Sequence, residues 1–420
     1  MRRFLALFAA FVAALVLIAS AYGAAPARTV VVVLFDGFSP AMMEGVSTPN
    51  FDRLKREGAS SRHLVPSFPT LSMVNHTTFA TGCWPVHHGI VANEFRDPAK
   101  GLYDTKADRA DAAWRTGCET MWQAAERQGA AAAAFNIVGR WSSVAGRQAA
   151  VINDEVPWKD HESDEAVLAK AVAALADGHT RLIALYFDYP DAVAHNDGVH
   201  GDKTKAAVAK ADAVVGKLMA AIEALPKDRS VDLVVGADHG MTKVDKVINI
   251  GRLKSLYHFE AEVAYGSGSA MLYLKPGTDA AKVAQALAGY RDVFQVYRKG
   301  HFPAYAHIGS GTRVGDLLLV TRPPYAFEGP ELMKPEIAAR DENTKGPAIY
   351  EPAVKWFHSM HGYTPDVEAM HAIFFAWGDG IAPGKELPRI DMIDVAPTVL
   401  GLLGLKPGTG SDGHAIALAP

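Results

Sequence analysis

The run Thr29-Val30-Val31-Val32-Val33-Leu34-Phe35, closed by Asp36-Gly37, constrains the fold more than any other feature of the chain. A strand with one wet face alternates apolar and polar residues; an unbroken, β-branched run reads as a strand buried on both faces. Such a strand needs helices above and below it, and the chain supplies them. Further strands are predicted over 132–137, 181–187 and 233–236. Helical patterns fall at 118–128, 165–176 and 203–225, the last stopped by Pro226. Another helix starts near Thr48, with Pro49 in its first turn and Leu54 on its apolar face. Strand–helix alternation over this length predicts an α/β fold, a mostly parallel central sheet between two helical layers.

The pattern changes after Asp245. Residues 270–274 and 316–320 read as shorter strands, with a helix over 280–290 and breaks at Pro323-Pro324 and Gly329-Pro330. We therefore expect a catalytic core over 26–249 and 346–420, with an inserted α+β lid region over 250–345 beside the active site. The core resumes with a strand over 372–377 and closes with a helix over 392–403. At the other end, Arg2-Arg3 precedes the apolar stretch Phe4–Ser20 and the small residues Ala21, Gly23, Ala24 and Ala25. Residues 1–25 thus read as a secretory signal peptide, which predicts a periplasmic or secreted protein. A retained anchor is the alternative, and it is the one expected route to membrane contact. Cys83 and Cys118 are the only cysteines. They are too few for a cysteine-based zinc site, and the sequence leaves open whether they form a disulfide or remain buried thiols. A net charge of −4 gives no broad reason to bind nucleic acid or an anionic surface, so recognition of a phosphate must be local.

In open parallel sheets functional groups gather where strands end. Asp36 follows the first strand, Asp191 and His195 follow the strand over 181–187, Asp238 and His239 follow that over 233–236, and His361 precedes the late strand. Each alone is an ordinary turn, cap or surface residue; together they are oxygen and imidazole donors suited to zinc. Ser72 joins them. Pro66–Leu71 reads as extended, and Ser72–Thr81 as a helix ended by Gly82. A serine there is either an N-cap or a nucleophile at a helix N-terminus that favours phosphate.

These residues, with the motifs Phe68-Pro69-Thr70-Leu71-Ser72, Asn75-His76, His88-Gly89-Ile90-Val91-Ala92-Asn93, Ala237-Asp238-His239-Gly240-Met241 and His361-Gly362-Tyr363, resemble the nucleotide pyrophosphatase/phosphodiesterase family of the alkaline phosphatase superfamily. The resemblance runs from about residue 29 to the end of the chain. It implies an alkaline-phosphatase-like three-layer sandwich and two zinc ions per chain. One would take Asp191, His195 and His361; the other Asp36, Asp238, His239 and the Ser72 oxygen. It also implies a covalent phospho-Ser72 intermediate, with Asn93 donating to a phosphate oxygen. Hydrolysis of small phosphate diesters, nucleotide or similar, is the first reading.

The chain departs from the family pattern in two ways. Many members carry Thr where this chain has Ser72, and Met73-Val74 replaces the usual Phe-Pro. The second change weakens the expectation of a nucleotide base. Thr70 is an alternative nucleophile, but Ser72 has the spacing to Asn93 that the resemblance requires. A choline-headgroup phosphodiesterase is a second reading, with Tyr186, Tyr189, Phe95 and Glu94 as candidates for a pocket and Trp84 and Trp356 as further ones. A phosphomonoesterase is a third, although Arg62 and Arg96 are poorly placed for an additional phosphate charge. A non-catalytic exported metal-binding protein is the reading of another class. The expected partner is a small phosphate ester, with no stable nucleic-acid partner.

Overall fold

The computed structural model describes residues 28–104, 107, 111–140, 148–153, 162–329, 344–352 and 358–419; the proposed signal segment over 1–25 lies outside them. Six strands enter the central sheet in turn: β1 (Thr29–Asp36), β2 (Ala59–Val65), β3 (Ala132–Phe135), β4 (Val151–Ile152), β5 (Leu182–Pro190) and β6 (Val231–Ala237). A second sheet follows, built from β7 (Ala261–Tyr265), β8 (Ser269–Leu274), β9 (Phe294–Arg298) and β10 (Leu317–Thr321). The chain then returns to the first sheet as β11 (Ala372–Gly378).

The central sheet runs β2-β11-β6-β1-β5-β3-β4, with Lys385–Glu386 and Ile390–Asp391 pairing parallel along β2. Every pairing is parallel except those of β11, which is antiparallel to β2 and β6. Helices α1 (Pro49–Glu57), α4 (Asp164–Asp177) and α6 (Asp202–Glu223) pack together on one side of the sheet. On the other lie α2 (Ser72–Thr81), α3 (Met121–Arg127) and α9 (Val395–Leu402). Covered this way, β1 is buried at all eight positions, as its unbroken apolar run requires. Strand β2 escapes a periodicity reading because Ser60, Ser61, Arg62 and His63 interrupt it. Helix α3 begins at Met121 and not at Cys118, because Thr120 and Gln123 form a reciprocal capping box that fixes the start.

The second sheet is covered on both faces too. Leu317 and Leu319 face a core shared with α7 (Ile250–Tyr257) and α8 (Ala280–Leu287), including Leu253, Val283 and Leu287. Leu318 and Val320 face the opposite way, into a core with Phe68, Leu71, Val74 and Ile90 from the approach to α2. The continuous apolar run in β10 follows from this two-sided burial. A small sheet pairs Lys246–Ile248 with Tyr325–Phe327 and Ile349–Tyr350, where the chain leaves the central sheet and where it returns. Cys83 and Cys118 form a disulfide. No described helix is long and apolar enough to cross a membrane.

Candidate active site

The functional side chains are carried by the ends of the central strands. Asp36 closes β1 and is 3% exposed. At Gly37 the backbone turns with φ 62°, and a Cβ there would lie 2.6 Å from the Asp191 side chain. Only glycine lets the β1 turn and the start of α5 (Asp191–Asp197) approach so closely. The Gly37 N–H donates to Asp238 Oδ1 at 2.9 Å, and the His239 N–H donates to the same oxygen at 2.9 Å. Asp191 and His195 stand four residues apart on α5 and so share a face; His195 Nε2 lies 3.2 Å from Asp191 Oδ2. His361 arrives from outside the sheet. Ser359–Met360 pairs with Thr242–Lys243, and the Gly362 N–H donates to the Thr70 carbonyl at 3.0 Å.

These contacts bring two ligand groups together. Asp191, His239 and His361 form one, and Asp36, Asp238 and His239 the other, each with ligand atoms within 4.8 Å of one another. His195 adjoins the first group through Asp191. The rings of His239 and His361 stack with centroids 3.8 Å apart. Ser72 Oγ lies 3.1 Å from His239 Nε2 and 3.4 Å from Asp36 Oδ1. Ser72 does not cap its helix. Leu71 holds the N-cap position and Ser72 is the first helical residue, so its hydroxyl has no capping duty. Asn93 Oδ1 accepts from the Met73 N–H at 2.9 Å, which orients the amide beside the same helix N-terminus. Thr70 is engaged elsewhere: its hydroxyl donates to the Tyr363 carbonyl at 3.1 Å and accepts from the Gly362 N–H at 3.0 Å.

The imidazoles share one arrangement. His195 Nδ1 lies 3.0 Å from the Ser359 carbonyl, His239 Nδ1 3.0 Å from the Gly240 carbonyl and His361 Nδ1 3.0 Å from the Thr70 carbonyl. A carbonyl can only accept, so in each ring Nδ1 carries a proton and Nε2 is the nitrogen turned toward the carboxylates. Metal-ligating histidines are oriented in this way.

Charge points in the same direction. Asp36, Asp191 and Asp238 converge, and among the described residues no Lys or Arg forms an ion pair with them. Asp191 Oδ1 is buried and accepts no hydrogen bond. Burial works against the charge on Asp191, but the neighbouring His195 outweighs it and holds the carboxyl below its ordinary value. Burial likewise opposes charge on Asp238, and the adjacent His239 and His76 keep it low. Burial pushes His195 down while Asp191 pulls it up further, to about 9. Burial, reinforced by His239, drives His361 well below its ordinary value and keeps it neutral. Buried negative charge without a fixed cation is costly. Imidazole Nε2 atoms turned inward and an unbonded carboxylate oxygen fit divalent metal ions, and a proton on His195 is what a cation would displace.

Two further residues meet the carboxylates: His76, given no role from sequence, and Tyr186, expected there in an aromatic pocket. His76 is fully buried, with Nε2 3.2 Å from Asp238 Oδ2 and 3.5 Å from Asp36 Oδ2. The Tyr186 hydroxyl donates to Asp36 Oδ2 at 2.5 Å. The spacing of Ser72 and His76, one helical turn apart, is the sequence signal that could have found the first. The aromatic pocket suggested by the sequence does not assemble. Tyr186 is committed to Asp36, Phe95 stacks on Tyr103 in the second core, and Tyr189 packs against Phe35 and Phe187. Glu94 is exposed, Trp84 stacks on His307, and Trp356 lies outside the described residues. Arg62 lies near Glu44 and Arg96 pairs with Glu262, so neither reaches the carboxylates.

A doubly covered, mostly parallel sheet that gathers aspartates, histidines and a helix-borne serine at its strand ends defines an alkaline-phosphatase-like α/β protein. Residues 30–364 match the model of the type I phosphodiesterase / nucleotide pyrophosphatase family. The chain belongs to this nucleotide pyrophosphatase/phosphodiesterase family of the alkaline phosphatase superfamily. It is 27% identical to human ectonucleotide pyrophosphatase/phosphodiesterase family member 7, over 92% of this chain and 82% of that protein. It is 24% identical to venom phosphodiesterase 2 of Crotalus adamanteus, over 90% of this chain and 46% of that protein. Among solved structures, murine ectonucleotide pyrophosphatase/phosphodiesterase 5 superposes with a TM-score of 0.78 at 24% identity, covering 90% of this chain and 96% of that one. An inactive variant of that mouse protein in complex with AMP superposes equally well.

Proposed function

We propose that the protein is an exported two-zinc phosphodiesterase that hydrolyses small phosphate diesters, nucleotide or similar, through a phospho-Ser72 intermediate. The observation that carries this reading is the set of imidazoles tied through Nδ1 to backbone carbonyls, with Nε2 turned toward the carboxylates and that of His239 3.1 Å from Ser72 Oγ. Asp191, His195 and His361 would hold one ion, and Asp36, Asp238, His239 and Ser72 the other. When bound, zinc supplies Lewis acidity, lowering the basicity of an attached hydroxyl and neutralising the phosphate.

The chain's own residues do the rest. The Ser72 oxygen attacks phosphorus, forming an O–P bond as the bond to the leaving alcohol breaks. The alcohol leaves with a proton, and water then hydrolyses phospho-Ser72. Helix α2 presents its N-terminus to the phosphate. Asn93, with Oδ1 fixed by Met73, keeps its NH₂ as a donor for a non-bridging oxygen. The lack of a described Arg or Lys at the carboxylates favours a diester over a more highly charged monoester. The disulfide between Cys83 and Cys118 suits an oxidising compartment outside the cytoplasm.

Ser72→Ala is expected to lower turnover of bis-p-nitrophenyl phosphate by roughly 10⁴-fold or more while zinc content stays at that of the wild type. Wild-type turnover of p-nitrophenyl phosphate should be the slower of the two. Full activity in Ser72→Ala would reject the covalent mechanism, and preference for the monoester would reject the diester reading.

A further inference from the structure

Behind the converging carboxylates lie two fully buried side chains, His76 and Tyr186. Asp36 divides its two oxygens. Oδ1 faces Ser72 and His239, at 3.4 Å and 3.5 Å, and Oδ2 turns inward to the Tyr186 hydroxyl at 2.5 Å. Asp238 Oδ1 accepts from two backbone N–H groups, and Oδ2 lies between His76 Nε2 at 3.2 Å and His239 Nε2 at 3.3 Å. His76 Nε2 stands between Oδ2 of Asp36 and Oδ2 of Asp238, and its ring lies edge-on to Tyr186 with centroids 4.7 Å apart. Nε2 is thus within ion-pair distance of both carboxylates.

His76 is also one helical turn from Ser72 on α2, so both project from one face. Its neighbour Asn75 fixes the approach to that helix. Asn75 Oδ1 accepts from the Ser67 N–H at 2.7 Å, and Nδ2 donates to the carbonyls of Ser67, Pro69 and Leu71 at 3.1, 3.2 and 3.1 Å. Asparagine is a poor residue for a helix interior, and this saturated set of contacts accounts for its presence. The Asn75-His76 pair thus fixes the nucleophile's entry loop on one side and meets two carboxylates on the other.

We propose that His76, supported by Tyr186, is a positioning residue that sets the separation and rotation of Asp36 and Asp238, and so ties the Ser72 oxygen in register with the ion those carboxylates hold. The proposal rests on the two-zinc reading above. One rigid helix carries both the nucleophile and the bridge between its metal ligands, so a shift of one moves the other. Neither His76 nor Tyr186 acts as acid, base or ligand.

The test uses zinc affinity of the purified chain, measured by chelator competition, alongside kcat and KM for bis-p-nitrophenyl phosphate. His76→Gln places a donor near the Nε2 position; His76→Asn is polar but too short to reach. We expect His76→Asn to weaken one of the two zinc ions by roughly 10–100-fold and to lower kcat with little change in KM, with His76→Gln within about threefold of wild type. Equal losses in both variants would show that packing alone matters, and unchanged affinity in His76→Asn would show no role; either overturns the proposal. Tyr186→Phe removes only a hydroxyl and carries the test if the His76 variants do not fold. It must weaken the same class of ion, and unchanged affinity there overturns the proposal. Wild-type protein binding fewer than two zinc ions would instead refute the two-zinc reading, so the two failures are separable.

Discussion

The two sides of the site are held by different means. Asp36, Asp191, Asp238 and His239 are fixed by β1, β5 and β6, central parallel strands buried along nearly their whole length, with a register shift between β1 and β5 at Asp36. His361 belongs to the other side. It depends on a two-residue strand pair, on the Thr70 carbonyl, and on the turn between β7 and β8, where the Gly268 N–H donates to the His361 carbonyl at 3.2 Å. The first side is positioned by a hydrophobic core, the second by close backbone contacts with the inserted region. Chemistry on the sheet side should therefore be lost without loss of fold, whereas the insert side should couple fold and site.

The largest expected effect lies on the sheet side. Asp238→Asn keeps Oδ1 as acceptor for Gly37 and His239 but removes a charge from the ligand set. We expect activity to fall by about 10²–10³-fold and zinc content to drop by one ion per chain, with the metal-free melting temperature little changed. A large fall in metal-free stability would break the contrast, since the sheet side would then need its ligands to fold.

The next effect lies on the insert side. Gly362 has φ 87°, and a Cβ there would stand 1.8 Å from the Gly266 carbonyl oxygen. Gly362→Ala combines a left-handed conformation with a collision against backbone. It should cost about 2–4 kcal/mol and weaken zinc at Asp191 and His361 together. Calorimetry and chelator competition on one sample check both, and a change in stability without a change in zinc affinity would show that the turn does not support His361.

The same division explains what could be read from the sequence. β1 and the donors that follow β1, β5 and β6 were legible because a strand buried on both faces writes its burial into an unbroken apolar run and the chemistry follows at its end. Ser72–Thr81 was legible because Gly82 ends it in the left-handed region. β2 was not, because its polar residues are accommodated by tertiary contacts such as Ser61 donating to the Pro388 carbonyl at 2.9 Å. The nearness of His239 to both ligand groups, and the place of His76 beneath two carboxylates, depend on separations across the sheet that no local pattern encodes. The aromatic pocket failed for the opposite reason: Tyr186 and Phe95 look available in sequence and are consumed by Asp36 and Tyr103.

A smaller effect is expected where the insert clasps the core. Arg313 Nε reaches Asp97 Oδ2 at 2.7 Å, while Nη1 donates to the carbonyls of Gly89 and Trp114, each at 2.7 Å. Its guanidinium carbon lies 5.6 Å and 5.5 Å from the Phe95 and Trp114 ring centroids. Arg313→Met keeps the stem and loses the donors. It should cost about 1.5–3 kcal/mol and leave kcat within about threefold of wild type, because Asn93 is fixed by Met73 and not by this clasp. A collapse of kcat would show that the clasp extends its influence to the phosphate site.

The smallest expected effect separates the two sides by pH. Burial works against the Asp97 charge, but the Ala99 N–H and Arg313 outweigh it and hold the carboxyl below its ordinary value. A carboxylate depressed in the folded state stabilises it above the unfolded-state value, about 3.9, and that contribution disappears as pH falls through the folded-state value. Asp97→Asn should therefore melt below wild type near neutrality, and the gap should close as the pH is lowered past about 4. The comparison is made on metal-free protein, since acid also strips metal from the sheet side. A gap that persists unchanged at low pH would mean that Asp97 acts through packing, and the clasp would then be held by the aromatic and carbonyl contacts of Arg313 alone.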